Sequence, residues 1–488
     1  MGSMLLVAAL RDAGHDVTRV RFSRTIDEDD RQSSMFTDRE SIVDYRTLRY
    51  RPDAWFVSLL YVRQFVDIPA LFRQIGLAPL ARDRRPDDPL VAFGGQAMIA
   101  PEPVAPFADV IALGDGEVTG VRLASYLDLF GREKLMEEVD GVDGFYVPTR
   151  DSEPRLRRVE APLGPPTVIR PGNSERTATI EVARGCKSKC AFCPIGWAGG
   201  SYRESPRDAV ATAIAENSGR AVNLFAPDYS SVSWAEAADA LLASAGCKPA
   251  GKDARLDAAL RHLRAGGGVK EYNFGVEGVS ARLRRAIGKP LDADKIVEVM
   301  ALLGGGGVTS VRWYLIIGLP GETAEDWREL HDLLDRVAAV YRGRLDITLT
   351  HFQSVPHTPL QWEDNRYRED AVAAGSDLRA HLRARWLATG PQWLVSNPKG
   401  RELHEHDAWL QRADRRAADY LIALAGNQAK LKDGRWRDVA ASAGFDVAAD
   451  LGALNPSEPT RWAHVDVGQS MSRLISARAA YDRAMVAV

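Results

Sequence analysis

The chain has 488 residues, of which 45% are hydrophobic and 26% charged, with a formal net charge of -3. That balance fits a globular protein of two to four domains and gives no global electrostatic case for nucleic-acid binding. No run of 18 apolar residues predicts a membrane span, no basic-then-apolar leader opens the chain, and four cysteines, three of them clustered, make no disulfide framework; the expected compartment is the cytoplasm, where thiolates stay reduced.

Residues 1–150 alternate between strand and helix patterns. Residues 4–13 are helical and stop at Gly14, and 16–20 alternate like a short strand. Residues 54–60 are a continuous apolar run, which suits a buried parallel strand. A helix follows at 68–75. Strands at 90–93 and 110–113 end in Gly94-Gly95 and Gly114-Asp115-Gly116-Glu117. The alternation predicts a doubly wound parallel sheet, with ligands beyond the C-terminal strand ends where the glycine turns fall. Such a domain usually begins with a strand and this one begins with a helix. Either the sheet is reduced or its start lies upstream. Five prolines between 150 and 171 predict a linker over residues 151–172.

Residues 173–365 read as a second α/β unit, a partial or full (β/α) barrel. Its strands are expected at 177–182, 221–225, 271–276, 311–317 and 346–350, with helices at 205–215, 293–303 and 324–340. Glycine runs at 266–268 and 304–307 read as helix stops. From 366 to 488 the strand signal fades. Helices at 371–388, 412–425 and 467–486 predict a mostly helical C-terminal region.

The strand at 177–182 leads into Arg184-Gly185-Cys186-Lys187-Ser188-Lys189-Cys190-Ala191-Phe192-Cys193-Pro194, a C-x3-C-x2-C spacing. Three thiolates on one tight loop can hold three irons of a [4Fe–4S] cube. A cluster that only carries electrons normally has four thiolates. The open iron therefore points to a small molecule that binds the metal and reacts there. A zinc knuckle usually needs two spaced pairs of ligands, and no second pair exists. The remaining cysteine, Cys247, reads as a free, inert thiol.

The segment resembles the signature of the radical S-adenosylmethionine (radical SAM) superfamily. The resemblance implies that Cys186, Cys190 and Cys193 hold three irons and that S-adenosylmethionine (SAM) chelates the fourth through its amine and carboxylate. An electron from the cluster then breaks the sulfonium bond to the 5′ carbon, and the 5′-deoxyadenosyl radical abstracts hydrogen from a substrate. By the same resemblance Phe192 packs on the adenine. Residues 314–323, in themselves an apolar strand, a Gly-rich turn and an acidic helix start, are similar to the family's late strand and turn, so Ile317 and Gly318 would line the adenine site through backbone groups. Residues 274–280 end a strand with a carboxylate and a hydroxyl. Ser280 reads as a helix N-cap, and the family's matching strand end sets Glu277 and Ser280 near the ribose and methionine of SAM. At 225–230 the family often has a Gly-Gly-Glu-like turn for the SAM amine. This chain departs from it, with Asp228 as the stand-in. His351 and His357 follow the last expected barrel strand, a position that faces the mouth of a barrel. Each reads either as a general base or substrate contact or as a packing histidine.

The glycine turns of residues 1–150 resemble the cobalamin-binding domain of class B radical SAM proteins. The usual Asp-x-His-x-x-Gly motif is missing, and His15 does not match it. The implied reaction is methyl transfer to an unactivated carbon with cobalamin carrying the methyl group. The alternatives are cobalamin-independent hydrogen abstraction and, from another class, a zinc-stabilised RNA-binding or scaffold protein. The cofactors implied are the [4Fe–4S] cluster, SAM and, on the first reading, cobalamin. The partners implied are an electron donor such as a flavodoxin or ferredoxin and a substrate that is a small molecule, a peptide or an RNA, with no membrane. No cysteine lies in residues 1–150 or after Cys247, so thiolates can hold one cluster only, which tells against a methylthiotransferase.

Overall fold

The computed structural model describes residues 2–20, 51–150, 155–169, 177–249, 252–254, 256, 271–386, 393–396, 398–425 and 429–486. The glycine run at 266–268 and the outer parts of the expected linker lie outside these. In the N-terminal domain β1 (Ala54–Ser58), β2 (Leu90–Gly94), β3 (Val110–Ala112) and β4 (Phe145–Tyr146) form one sheet in that order. The first three strands are parallel and β4 is antiparallel. Leu90, Val91, Ala92 and Phe93 are all buried, as a strand covered on both faces requires. Val91 and Phe93 pack with Phe65, Phe72 and Phe107 on one face. Leu90 and Ala92 pack with Leu123, Leu135 and Val139 of the helix Gly116–Val139 on the other. The helix Gly2–Asp12 is present and lies against that same helix. The short strand expected at 16–20 is not formed. Residues 16–19 have no regular structure.

The expected linker is built into the fold. It carries β5 (Leu156–Arg157) and β6 (Val168–Ile169), and β6 pairs antiparallel with β7 (Thr177–Glu181), the first barrel strand. A two-rung antiparallel hairpin follows, β8 (Ala183–Arg184) with β9 (Arg203–Glu204). Strands β10 (Ala221–Phe225) and β11 (Lys248–Pro249) complete a sheet ordered β11-β10-β7-β6. A second sheet runs in chain order through β12 (Lys252–Ala254), β13 (Glu271–Glu277), β14 (Ser310–Ile317), β15 (Arg344–His351) and β16 (Trp393–Ser396), all parallel. Two sheets in place of one closed ring make a partial barrel. On β14 the alternation is plain: Val311, Trp313, Leu315 and Ile317 are buried under helices, while Arg312 and Tyr314 are exposed on the other face. Strand β16 lies beyond residue 365, where helices alone were expected. It is four residues long with Leu394 and Ser396 exposed, too short and too mixed to announce itself.

The rest of the C-terminal region is mostly helical, with Glu369–Trp386, Arg401–Leu410, Ala417–Leu424, Trp436–Ser442 and Met471–Val486 as its main helices among the described residues. It is not a separate body. Trp409, Tyr420 and Trp436 share one core with Phe93 and Met98 of the N-terminal domain. Arg415 pairs with Glu102 at 2.6 Å, and His464 lies 3.1 Å from the same carboxylate. Strand β17 (Val465–Asp466) pairs parallel with β5. Buried Arg412 donates to the carbonyls of Gln361 at 3.0 Å and Gly452 at 2.8 Å, tying the segment after β15 to these helices. Among the described residues no helix is long and apolar enough to cross a membrane.

Candidate functional site

Strand β7 runs out through Val182 into the β8–β9 hairpin, and the loop between the two short strands carries the cysteines. Gly185 has φ 75°, and a Cβ there would overlap the Ser201 carbonyl. A Cβ on Gly196 would overlap the Ser188 carbonyl. Only glycine lets the limbs of this loop close so tightly. The Cys193 amide donates to the Cys190 carbonyl at 3.1 Å, the Trp197 indole donates to the same carbonyl at 3.0 Å, and the Ala191 amide reaches the Ile287 carbonyl at 3.0 Å. None of the three cysteines is in a disulfide. Cys190 is buried, while Cys186 and Cys193 are half-buried. Burial pushes the Cys193 thiol up, against hydrogen bonds from the Ile195 and Gly196 amides that favour its thiolate. Those amides suit a sulfur that binds iron as the anion. Among the described residues no three His, Cys, Asp or Glu side chains are grouped to hold a single ion. A four-iron cube places each thiolate on a different iron, so its thiolates stand wider apart than those around one zinc. The donor set fits the cluster.

Glu277 ends β13 with φ 68°, and the register with β14 slips between Gly275 and Glu277. A bulge of this kind re-aims the side chain it carries. The Glu277 carboxylate accepts from Lys289 at 2.9 Å, and Lys289 also donates to the Gly275 carbonyl at 2.9 Å. Lys289 stands two residues after Ile287, whose carbonyl takes the Ala191 amide, so the Glu277–Lys289 pair borders the cysteine loop. Asp228 is buried and accepts from the hydroxyls of Ser230 and Ser231, the latter at 2.7 Å. Lys187 of the cysteine loop donates to the Ser231 carbonyl at 2.8 Å, which brings Asp228 to the same neighbourhood. Phe192 is half-buried and packs on the barrel core.

Five other expected site residues have polar groups engaged within the protein. The Ser280 hydroxyl donates to Asp326 at 2.6 Å and accepts from the Leu283 amide at 3.2 Å. With 1% exposure it is an N-cap and offers nothing to a ribose. The Gly318 amide goes to Glu322 at 3.0 Å, and the Ile317 carbonyl accepts from the Phe352 amide at 2.8 Å. Glu322 also takes the Leu319 amide and the Trp327 indole, and burial pushes its carboxyl up. This turn satisfies itself, so neither of those two groups is free to line an adenine site. His351 does end β15 beside Gly318. Its Nδ1 donates to the Phe352 carbonyl at 3.1 Å, and its Nε2 accepts from the Arg368 amide at 2.8 Å. Both nitrogens are engaged, and burial lowers its pKa, so it is not poised as a base. His357 is buried, donates from Nε2 to the Ile99 carbonyl at 2.9 Å, and is pushed down to about 4 by burial. Both histidines are packing residues. Sequence reasoning passed over Asp326 and Tyr202, since no motif spacing marks them, and read Glu322 only as an acid near a helix start.

The N-terminal sheet does not leave its strand ends open. Gly95 (φ 101°) lies against Leu59 and Gly114 (φ 140°) against Val159, and a Cβ on either would overlap that residue's backbone. The Leu59 amide bonds the Gly94 carbonyl at 2.8 Å. The Val159 amide bonds the Leu113 carbonyl at 3.1 Å, and the Asp115 amide bonds the Val159 carbonyl at 3.0 Å. Met98, Ile99 and Leu113 are buried around these ends. His15 lies 3.3 Å from Asp128, on the helix Gly116–Val139. A cofactor of this fold needs a crevice beyond the strand ends. Here the chain's own backbone takes up both glycine turns that carried the resemblance, so the described residues around them are not the lining of a cobalamin crevice.

Comparison with known proteins gives matches along most of the two α/β units. The family model for the N-terminal region of radical SAM proteins matches residues 23–148, and that of the radical SAM superfamily matches residues 180–334. An uncharacterised protein of Methanocaldococcus jannaschii is 26% identical over 320 residues, 64% of this chain and 69% of its own length. Among solved structures, the cobalamin-dependent S-adenosylmethionine radical enzyme OxsB with aqua-cobalamin and S-adenosylmethionine bound is similar at 16% identity and a TM-score of 0.44, over 60% of this chain and 45% of that one. Streptococcus suis SuiB bound to its precursor peptide SuiA is similar at 10% identity and a TM-score of 0.30, over 44% and 47%. The chain spans less than half of either solved chain.

Proposed function

We propose, from the premise that the chain belongs to the radical SAM superfamily, that it is an enzyme that cleaves SAM reductively and abstracts hydrogen from its substrate without cobalamin. When bound, the cluster and SAM supply one electron and a 5′-deoxyadenosyl radical. The protein's part is to hold, orient and shield. Cys186, Cys190 and Cys193 are the cluster ligands. Glu277 and Asp228, on the ends of β13 and β10, are the acceptors for the amine and hydroxyls of SAM, and the exposed part of Phe192 is the adenine contact. The open face of the second sheet, with Tyr314, Thr350, Leu394 and Ser396 exposed, is the substrate side. Its hydroxyls suit a polar small molecule, peptide or RNA. The electron comes from a flavodoxin or ferredoxin.

The observation that carries this reading is the three-thiol loop, closed by Gly185 and Gly196, with the Glu277 carboxylate bordering it. Hydrogen abstraction is preferred to methyl transfer by cobalamin because Leu59 and Val159 take up the glycine turns at Gly95 and Gly114. The test is anaerobic reconstitution followed by SAM and dithionite. We expect about four irons per chain, a broad absorption band near ~400 nm and formation of 5′-deoxyadenosine. A colourless protein holding one zinc would sink the reading. Cobalamin that co-purifies in stoichiometric amount would return it to methyl transfer.

A further inference from the structure

We propose that the Gly114-Asp115-Gly116-Glu117 turn of the N-terminal domain is a positioning element that holds shut the neck of the cysteine loop. The inference rests on reading that loop as the cluster site. The neck is the β8–β9 hairpin, and it is only two rungs long. One of those rungs pairs Arg184 directly with Arg203. Like charges opposite each other on a ladder repel, and both guanidinium groups here are largely buried. The Arg184–Arg203 rung therefore works against closure of the hairpin.

Asp115 resolves the conflict. It is 6% exposed and sits at the end of β3, before the helix Gly116–Val139. Arg184 reaches it at 3.0 Å, and Arg203 pairs with its second oxygen. The Ala161 amide fixes the same carboxylate at 3.0 Å. Glu117, from the first turn of that helix, takes Arg184 at 2.7 Å, and Glu181 takes it at 2.7 Å and 3.1 Å. Glu160, from the former linker, accepts the Ser201 amide at 2.8 Å on the far limb of the neck. Arg203 also lies 3.8 Å from Glu160, and Asp115 is the carboxylate among these that pairs with both opposed cations. Arg184 stands two residues before Cys186, so the placement of the first cysteine depends on Asp115.

The test uses the full-length chain without iron. Each cysteine is labelled with iodoacetamide and the rates are read by mass spectrometry, with buried Cys247 as an internal control. Asp115→Asn should raise labelling of Cys186 about tenfold while Cys247 is unchanged, because only the neck opens. Adding Arg203→Gln to that variant removes one opposed cation and should bring the rate back to within about twofold of wild type. After reconstitution, Asp115→Asn should broaden the electron paramagnetic resonance signal of the reduced cluster, and the double variant should narrow it again. Wild-type labelling in Asp115→Asn overturns the proposal. So does a double variant that stays fast, or faster labelling of Cys247 together with Cys186. A wild-type chain that binds no iron–sulfur cluster would instead sink the enzymatic reading and leave the labelling result standing.

Discussion

Two parallel sheets in this chain end in glycine turns, and they use them in opposite ways. At the ends of the barrel strands the chain carries the three-cysteine loop, a bulged Glu277 and a hydroxyl-capped Asp228. At the ends of the N-terminal strands the glycines let the chain's own backbone come close. Leu59 lies on Gly95 and Val159 on Gly114. The rule that ligands sit beyond the carboxyl ends of such sheets holds only where nothing else sits there first. A glycine at a strand end reports a close approach. It does not say whether a cofactor or the protein makes it.

The largest effect that sharpens this contrast is at the thiols. Cys186→Ala should cut 5′-deoxyadenosine formation at least about a thousandfold and leave the fold intact, since a cluster with two protein ligands is poorly held. Thermal denaturation beside a SAM-cleavage assay checks both halves. Next comes a pair of glycines. Gly114→Ala, which meets the Val159 backbone at φ 140°, should cost about 3 kcal/mol or more in chemical denaturation. Gly318→Ala meets only the edge of the His351 ring, at 3.2 Å and φ 74°, and should cost about 1–2 kcal/mol. Equal costs would mean that the N-terminal strand ends are not closed as described.

Acid should loosen the seam between the two domains. Burial holds His357 at about 4 in the folded chain, against an ordinary histidine value of 6.5, so between those pH values the unfolded chain carries the extra proton. Stability then rises with pH through that window, and about 3 kcal/mol is lost on going from above 6.5 to below 4. His357→Asn should flatten that part of the profile in pH-dependent denaturation. The smallest effect separates a cap from a ligand. Ser280→Ala should cost about 1–2 kcal/mol of stability with SAM affinity within about twofold of wild type. Glu277→Gln should do the reverse, weakening SAM about tenfold at little cost in stability. Isothermal titration on the reconstituted protein reads both.

What the sequence made legible was local. The cysteine loop, its feeding strand and the Gly-rich turn after β14 each lie within a dozen residues, and their spacing carries their chemistry. The role of Ser280 was half legible. Its capping bond to Leu283 spans three residues, but Asp326, which takes its hydroxyl, is 46 residues away. His357 looked like a mouth residue because it follows a barrel strand. Its partner, the Ile99 carbonyl, is 258 residues distant, and no periodicity points to it. The prolines at 162, 165 and 166 stand in irregular chain between β5 and β6. They could not say that Val159 would seal β3, because that contact is made by backbone and leaves no side-chain signature.

The pairing of β5 with β17 has a consequence for how this chain is made. It joins Leu156 to Val465 across some three hundred residues. A ribosome finishes the N-terminal sheet long before residue 465 exists. Until then Phe93 and Met98 wait for Trp409, Tyr420 and Trp436, which complete their core. A nascent chain in that state exposes apolar surface and depends on its last helices to cover it. The domain synthesised first is therefore the one finished last.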